Sequence, residues 1–105
     1  MKITAKTKNG ICRLQLEGEM TIYTALEMKA QLLRHLAKAK ELELDLSQVT
    51  EIDSAGLQLL ILLKRETAAR DAVLRLTAHS ALVTDVIDTL NLAAYFGDQM
   101  VLAAA

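Results

Sequence analysis

The sequence predicts a two-layer α/β domain: a mixed sheet of four or five strands, opened by an antiparallel hairpin and continued by parallel strands, with helices mainly on one face. Three observations carry this. Apolar and polar residues alternate with period two in Ile11 to Glu17, in Glu41 to Leu46 and around Arg75, and between these runs the spacing changes to that of amphipathic helices. The strands keep a polar side, Arg13, Gln15 and Glu17 in one and Glu41, Glu43 and Asp45 in another, whereas a sheet covered on both faces needs continuously apolar strands. Each helix linking consecutive strands imposes a right-handed parallel crossover, and Asn9-Gly10 marks a tight antiparallel turn.

Taken in order, Ile3 and Ala5 face one way in a short first strand, and Ile11 to Glu17 returns with Cys12, Leu14 and Leu16 inward. After Gly18 the segment Glu19 to Tyr23 leads into Thr24-Ala25-Leu26-Glu27, which reads as a capping box opening the first helix. The expected buried stripe of that helix is Leu26, Ala30, Leu33 and Ala37, with Leu36 beside it. The next strand is Glu41 to Leu46. A second helix runs from about Ser54 to Arg70, and a third from about Ser80 to Leu90, with Ser80 as N-cap and Val83, Val86, Ile87 and Leu90 buried. A final strand or tail follows Phe96-Gly97-Asp98. No proline, linker or repeat interrupts the chain, so residues 1–105 are expected to form a single domain.

Composition narrows the function classes. A chain of 105 residues, 52% hydrophobic, can bury about two-thirds of the surface its unfolded form exposes. Twelve basic against thirteen acidic residues leave a formal charge of −1, so no net field draws nucleic acid or an anionic membrane, and 3% aromatic content offers little for stacking on bases. Cys12, the only cysteine, reads as a small core residue in a reducing compartment. Met1 to Gly10 has no apolar targeting core and no segment has the length of a membrane span, so a cytoplasmic protein without direct membrane insertion is expected. One Cys and two distant His residues lack metal-ligand spacing, phosphate-loop and dinucleotide motifs are missing, and neither a metal nor a cofactor is expected. Ser54 has no Gly-x-Ser-x-Gly elbow, and only His35, expected on an exposed helix face, and His79 could act as imidazole bases, so no catalytic set is expected.

The candidate site is the phrase Ile52-Asp53-Ser54-Ala55-Gly56-Leu57. A strand, a polar turn and a helix in that order put a hydroxyl beside free backbone N–H groups, where the helix dipole favours negative charge. Ser54 can be a helix N-cap or a modification site; Asp53 can cap equally well, which releases Ser54 from that duty. Gly56 can be a packing glycine or one that lets a partner near the backbone. On the second reading, Gly56→Val is expected to damage partner binding more than folding.

With Gly18-Glu19-Met20, Leu44-Asp45-Leu46-Ser47 and His79-Ser80-Ala81 in the same order and spacing, this phrase resembles the STAS domain family of bacterial anti-sigma-factor antagonists and their relatives. The likeness spans nearly the whole chain. It implies a STAS-like two-layer fold and a non-catalytic adaptor in which Ser54 is phosphorylated by a partner serine kinase, Asp53 shapes the turn, and Asp53, Ser54, Ala55, Gly56 and Thr21 meet a protein partner, the kinase or anti-sigma factor. Thr21 is a departure, since many phosphorylated members carry an acidic residue there. The phrase Gly-Glu-Met-Thr-Ile-Tyr-Thr-Ala is similar to free-standing members associated with chemotaxis-type signalling or with bacterial lipid-transport ABC complexes. In the latter the domain is a constitutive accessory subunit, and the hydroxyl at this turn contacts a nucleotide-binding subunit without being phosphorylated. The resemblance names neither the pathway nor an oligomeric state.

Overall fold

The computed structural model describes residues 2–89. Within them the element order is β1 (Lys2–Lys8), β2 (Ile11–Met20), α1 (Ala25–Leu36), β3 (Glu41–Ile52), α2 (Ser54–Ala69), β4 (Val73–His79) and α3 (Ala81–Thr89). The expected strand or tail after Phe96-Gly97-Asp98, and Leu90, lie outside the described residues.

The sheet has the order β1-β2-β3-β4. β1 pairs antiparallel with β2 from Lys2↔Glu17 to Lys8↔Ile11, while β2 with β3 and β3 with β4 are parallel. The two residues between Lys8 and Ile11 take positive φ, 54° at Asn9 and 81° at Gly10. That is the combination a primed hairpin turn needs, and it suits Asn-Gly better than any other pair.

Parallel register aligns Cys12, Leu42 and Leu74 in one row across β2, β3 and β4, and Leu14, Leu44 and Leu76 in the next. These rows are buried in one core with Leu60 and Leu63 of α2, Met28, Leu32 and Leu36 of α1, and Val83 and Ile87 of α3. The opposite face carries Arg13, Gln15, Glu43, Asp45 and Thr77 around an open concavity of about 460 Å³. Helices on one side and polar residues on the other are what the period-two alternation requires.

Three local expectations are corrected. β3 runs on past Leu46 to Ile52, because an irregularity shifts its register: Asp45 pairs with Gln15, whereas Gln48 pairs with Glu17. The extra residue changes the facing of the strand, so that Val49 follows Leu46 into the core. The Asp45 carboxylate stabilises this bend by accepting from the Ser47 N–H at 2.9 Å and the Ser47 hydroxyl at 2.6 Å.

In α1 the buried row is Met28, Leu32 and Leu36, while Leu26 is 82% exposed and Ala30 and Ala37 face solvent. Leucines at 32, 33 and 36 serve either phase of the helix. Burying Met28 with two leucines removes more apolar area from water than burying Leu26 with two alanines, and that phase prevails. Nor does Thr24 form a capping box; its side chain makes no cap hydrogen bond and turns back into the preceding loop. Ser80, by contrast, stands at the start of α3 as expected, its hydroxyl accepting from Val83 N–H at 3.4 Å and its carbonyl from Thr84 N–H at 3.0 Å.

α2 closes with Asp71 in the left-handed region, φ 54°, while the Ala72 N–H donates to the Thr67 carbonyl at 2.8 Å and the Asp71 N–H to that of Ala68 at 3.3 Å. This paired closure ends the helix and aims the chain into β4.

Candidate functional site at the mouth of the second helix

β2 and β3 are adjacent parallel strands, so their C-terminal ends bring the β2–α1 loop against the start of α2. Asp53 fastens the two. One carboxylate oxygen accepts from the Gly56 N–H at 3.1 Å, a helix N-cap, and the other accepts from the Ile22 N–H at 2.9 Å. The Asp53 N–H in turn donates to the Met20 carbonyl at 3.2 Å. These contacts favour the ionised acid, and the Ile22 N–H, then the Gly56 N–H, hold the Asp53 carboxyl below its usual range against a smaller opposing effect of burial.

With Asp53 in the cap, Ser54 is free of structural duty. It stands exposed as the first residue of α2, and its hydroxyl makes no hydrogen bond among the described residues. Ala55 is half-buried beside it.

Gly56 differs from the expectation of a partner-facing glycine. It is buried, and a Cβ placed on it would lie 2.1 Å from the Met20 carbonyl oxygen. The missing side chain lets α2 approach the end of β2, so the packing reading holds. A substitution there acts first on folding.

Thr21 also differs, being only 4% exposed. Its N–H donates to Thr24 Oγ1 at 3.0 Å, its carbonyl accepts from the N–H groups of Thr24 and Ala25, and its hydroxyl accepts from the Tyr23 N–H at 3.3 Å. Thr24 Oγ1 donates to the Glu19 carbonyl at 2.8 Å. Thr21 thus shapes the loop from inside.

What this loop presents outward was missed by periodicity: Ile22 is 69% and Tyr23 92% exposed, next to Leu26. The signal available in the sequence was an apolar pair, Ile22-Tyr23, in a tight turn where neither residue belongs to a strand or helix stripe. Ile22 and Leu26 line a groove of about 560 Å³ that runs between α1 and α2, with Ala55, Leu59 and Leu62 on its other wall. Ser54, Ala55 and the Ile22–Leu26 segment therefore form one continuous surface, braced from behind by Asp53 and Thr21.

No catalytic grouping accompanies it among the described residues. His35 is half-buried rather than exposed, its Nδ1 4.0 Å from the buried Cys12 Sγ, on α1 far along the chain from Ser54. The side chain of His79 lies outside the described residues. Among the described residues no three His, Cys, Asp or Glu side chains stand together as metal ligands, and no helix is long and apolar enough to cross a membrane.

Comparison with solved structures finds the same architecture at low identity. An anti-sigma factor antagonist from Mycobacterium paratuberculosis superposes with a TM-score of 0.78 at 19% identity, over 99% of this chain and 86% of that one. The Bacillus cell fate determinant SpoIIAA in its phosphorylated form gives 0.76 at 16%, over 98% and 92%. A sulfate transporter family protein from Wolinella succinogenes gives 0.76 at 18%, over 92% and 80%. These likenesses establish the fold. No curated protein matches by sequence. The family profile described as "Mlab, STAS domain" matches residues 3–102, and with the ββαβαβα order, the mixed sheet and the Asp53-capped α2 in place, the chain belongs to this STAS-domain family.

Proposed function

We propose that this domain is a non-catalytic signalling adaptor that binds a protein partner, a serine kinase or anti-sigma factor, through the mouth of α2, and that phosphorylation of Ser54 ends the binding. The observation that carries the proposal is the division of labour at the turn. Asp53 caps the helix, so the exposed Ser54 hydroxyl can be modified without loss of a structural hydrogen bond. A phosphate there adds about −1.5 to −2 charge at the edge of an apolar surface, beside the Asp53 carboxylate. Partner contacts that cover Ile22 and Leu26 would then have to desolvate that charge, which is costly. The likeness to a SpoIIAA solved in a phosphorylated form supports this reading at the level of the fold.

A second reading, a constitutive accessory subunit of a bacterial lipid-transport ABC complex, is supported by the description of the matching family profile and by Thr21 in place of an acidic residue. Both readings use the same surface and both place the domain in the bacterial cytoplasm.

Titration of Ser54→Ala and Ser54→Asp against the partner co-purified from native lysate separates them. On the switch reading Ser54→Ala binds as wild type, Ser54→Asp loses about tenfold or more in affinity, and mass spectrometry finds phosphate on Ser54 in the cell. If Ser54→Asp binds normally and no phosphate is present, the constitutive subunit is the better account.

A further inference from the structure

The groove between α1 and α2 extends beyond the Ser54 mouth, and its far part has a chemistry of its own. α1 and α2 both return alongside parallel strands in crossovers of the same hand, so they run roughly side by side, with their N-terminal ends held together by the Asp53 to Ile22 hydrogen bond. Ile22 of the preceding turn, then Leu26 and Lys29 of α1, follow one wall; Ala55, Leu59, Leu62 and Arg65 of α2 follow the other at helical spacing. The groove is mostly apolar, with Gln58 as its one uncharged polar lining, and its charged linings are Lys29, about one turn into α1, and Arg65, farther along α2. Neither cation has a salt-bridge partner among the described residues, where the ion pairs are Arg13–Glu43, Arg70–Glu66 and Arg75–Glu41.

We infer that this groove receives an amphipathic helix of a partner protein, one whose apolar face lies on Ile22, Leu26, Ala55 and Leu62 and whose acidic residues meet Lys29 and Arg65. The inference rests on the reading of the Ser54 mouth as a docking face and specifies what docks beyond it. Three considerations select this occupant. The walls are two helices and a turn whose Ile22 N–H is held by Asp53, so they offer no edge for strand addition, and the occupant must satisfy its own backbone as a helix does. The eleven residues from Ala55 to Arg65 span about 15 Å, roughly three helical turns of a partner. The two unpaired cations complement carboxylates, and they are too few for an anionic membrane, which calls for clusters of roughly four to eight basic residues.

The test uses the full-length, isotope-labelled protein and a pair of synthetic capped peptides of about fourteen residues, long enough for some four helical turns. Both carry leucines at i, i+4 and i+7; one has glutamates beside the stripe at one end and the other has lysines there. The glutamate peptide should shift the amide signals of the groove residues and bind about tenfold more tightly than the lysine peptide. The double variant Lys29→Glu/Arg65→Glu, both exposed positions, should reverse that preference while keeping the wild-type spectrum elsewhere. Failure of both peptides to bind, equal binding of the two, or shifts outside the groove would overturn the inference. So would cosedimentation with phosphatidylglycerol vesicles that the double variant abolishes, or self-association that it abolishes. The two readings fail separately. If Ser54→Asp loses the native partner while Lys29→Glu/Arg65→Glu binds it normally, the acidic-helix groove is wrong and the Ser54 face stands. If the double variant loses the partner and Ser54→Asp does not, the reverse holds.

Discussion

On the open face of the sheet, Arg13 is matched by Glu43 across β2 and β3 at 2.8 Å, and Arg75 by Glu41 across β3 and β4. On the α1–α2 face, Ile22, Tyr23 and Leu26 stand in water with no apolar cover among the described residues, and Lys29 and Arg65 line the groove that Ile22 and Leu26 enter, without a salt-bridge partner among the described residues. Both surfaces are concave and solvent-facing, yet the first is polar, with Arg13 and Arg75 paired within the chain, and the second holds large apolar side chains out in water. Concavity alone therefore does not mark the binding face. The informative feature is apolar area held outward by a rigid frame, because burying a single Leu or Ile side chain is worth about 1.5–3 kcal/mol and a fold that could bury it would gain by doing so.

The sharpest way to break this comparison is at the frame. Gly56→Val should unfold or heavily destabilise the protein, since its Cβ would sit 2.1 Å from the Met20 carbonyl oxygen and backbone must move. Overpacking of this kind costs about 1–3 kcal/mol or more, a fall in melting temperature of roughly 10 °C or beyond for a domain this size. Ser54→Ala, two residues away, should melt as wild type. A Gly56→Val protein that melts normally and fails only in partner capture would restore the partner-facing reading of that glycine.

A smaller effect is expected from the Asp53 strut. Its carboxyl is held below the usual 3.8 by the N–H groups of Ile22 and Gly56. A depressed folded-state pKa means that the contribution is present above the unfolded value and is lost as pH falls through the folded one, on the acid side of the ordinary carboxylate range. In an NMR pH titration the amide protons of Ile22 and Gly56 should move together as Asp53 protonates, while that of Leu57, bonded to the Asp53 backbone carbonyl at 3.0 Å, should move little. Asp53→Ala should loosen the Ile22–Tyr23 segment at neutral pH and lower the melting temperature by less than Gly56→Val. An Ile22 amide that ignores the titration would remove Asp53 as the link between helix mouth and loop.

The architecture was legible because β2, β3 and β4 obey a strict alternation and Asn9-Gly10 can do little but turn. The continuation of β3 to Ile52 was hidden, since an irregularity near Ser47 breaks the period on which strand reading relies. The rotation of α1 was hidden for another reason: Leu32, Leu33 and Leu36 fit two helical phases, and only the competition between Met28 and Leu26 for the core decides. At the site, Asp53 and Ser54 were readable from local cap chemistry. The burial of Thr21 and Gly56 was not, because both depend on where the end of β2 lies against α2, a long-range register that no local pattern encodes. The same ignorance concealed Ile22 and Tyr23, whose exposure follows from Thr21 turning inward.

The smallest effect is expected on the satisfied face, and it is the one that tests whether the two faces truly differ. Arg13→Ala removes a cross-strand pair in which Arg13 is largely exposed, its side chain at 71%, while Glu43 is more covered at 13%. Exposed pairs of this kind contribute about 0–1 kcal/mol, since water screens the attraction and two long side chains must be held still. The melting temperature should fall by a few degrees at most, in line with roughly 4–8 °C per kcal/mol, and less at high salt. Partner capture should stay at the wild-type level, as it should for Arg75→Ala, because neither change touches the Ile22–Leu26 segment or the start of α2. A loss of partner binding in Arg13→Ala with an intact melting curve would mean that internal pairing does not retire a surface from recognition, and the sheet face would have to be counted as a second interface.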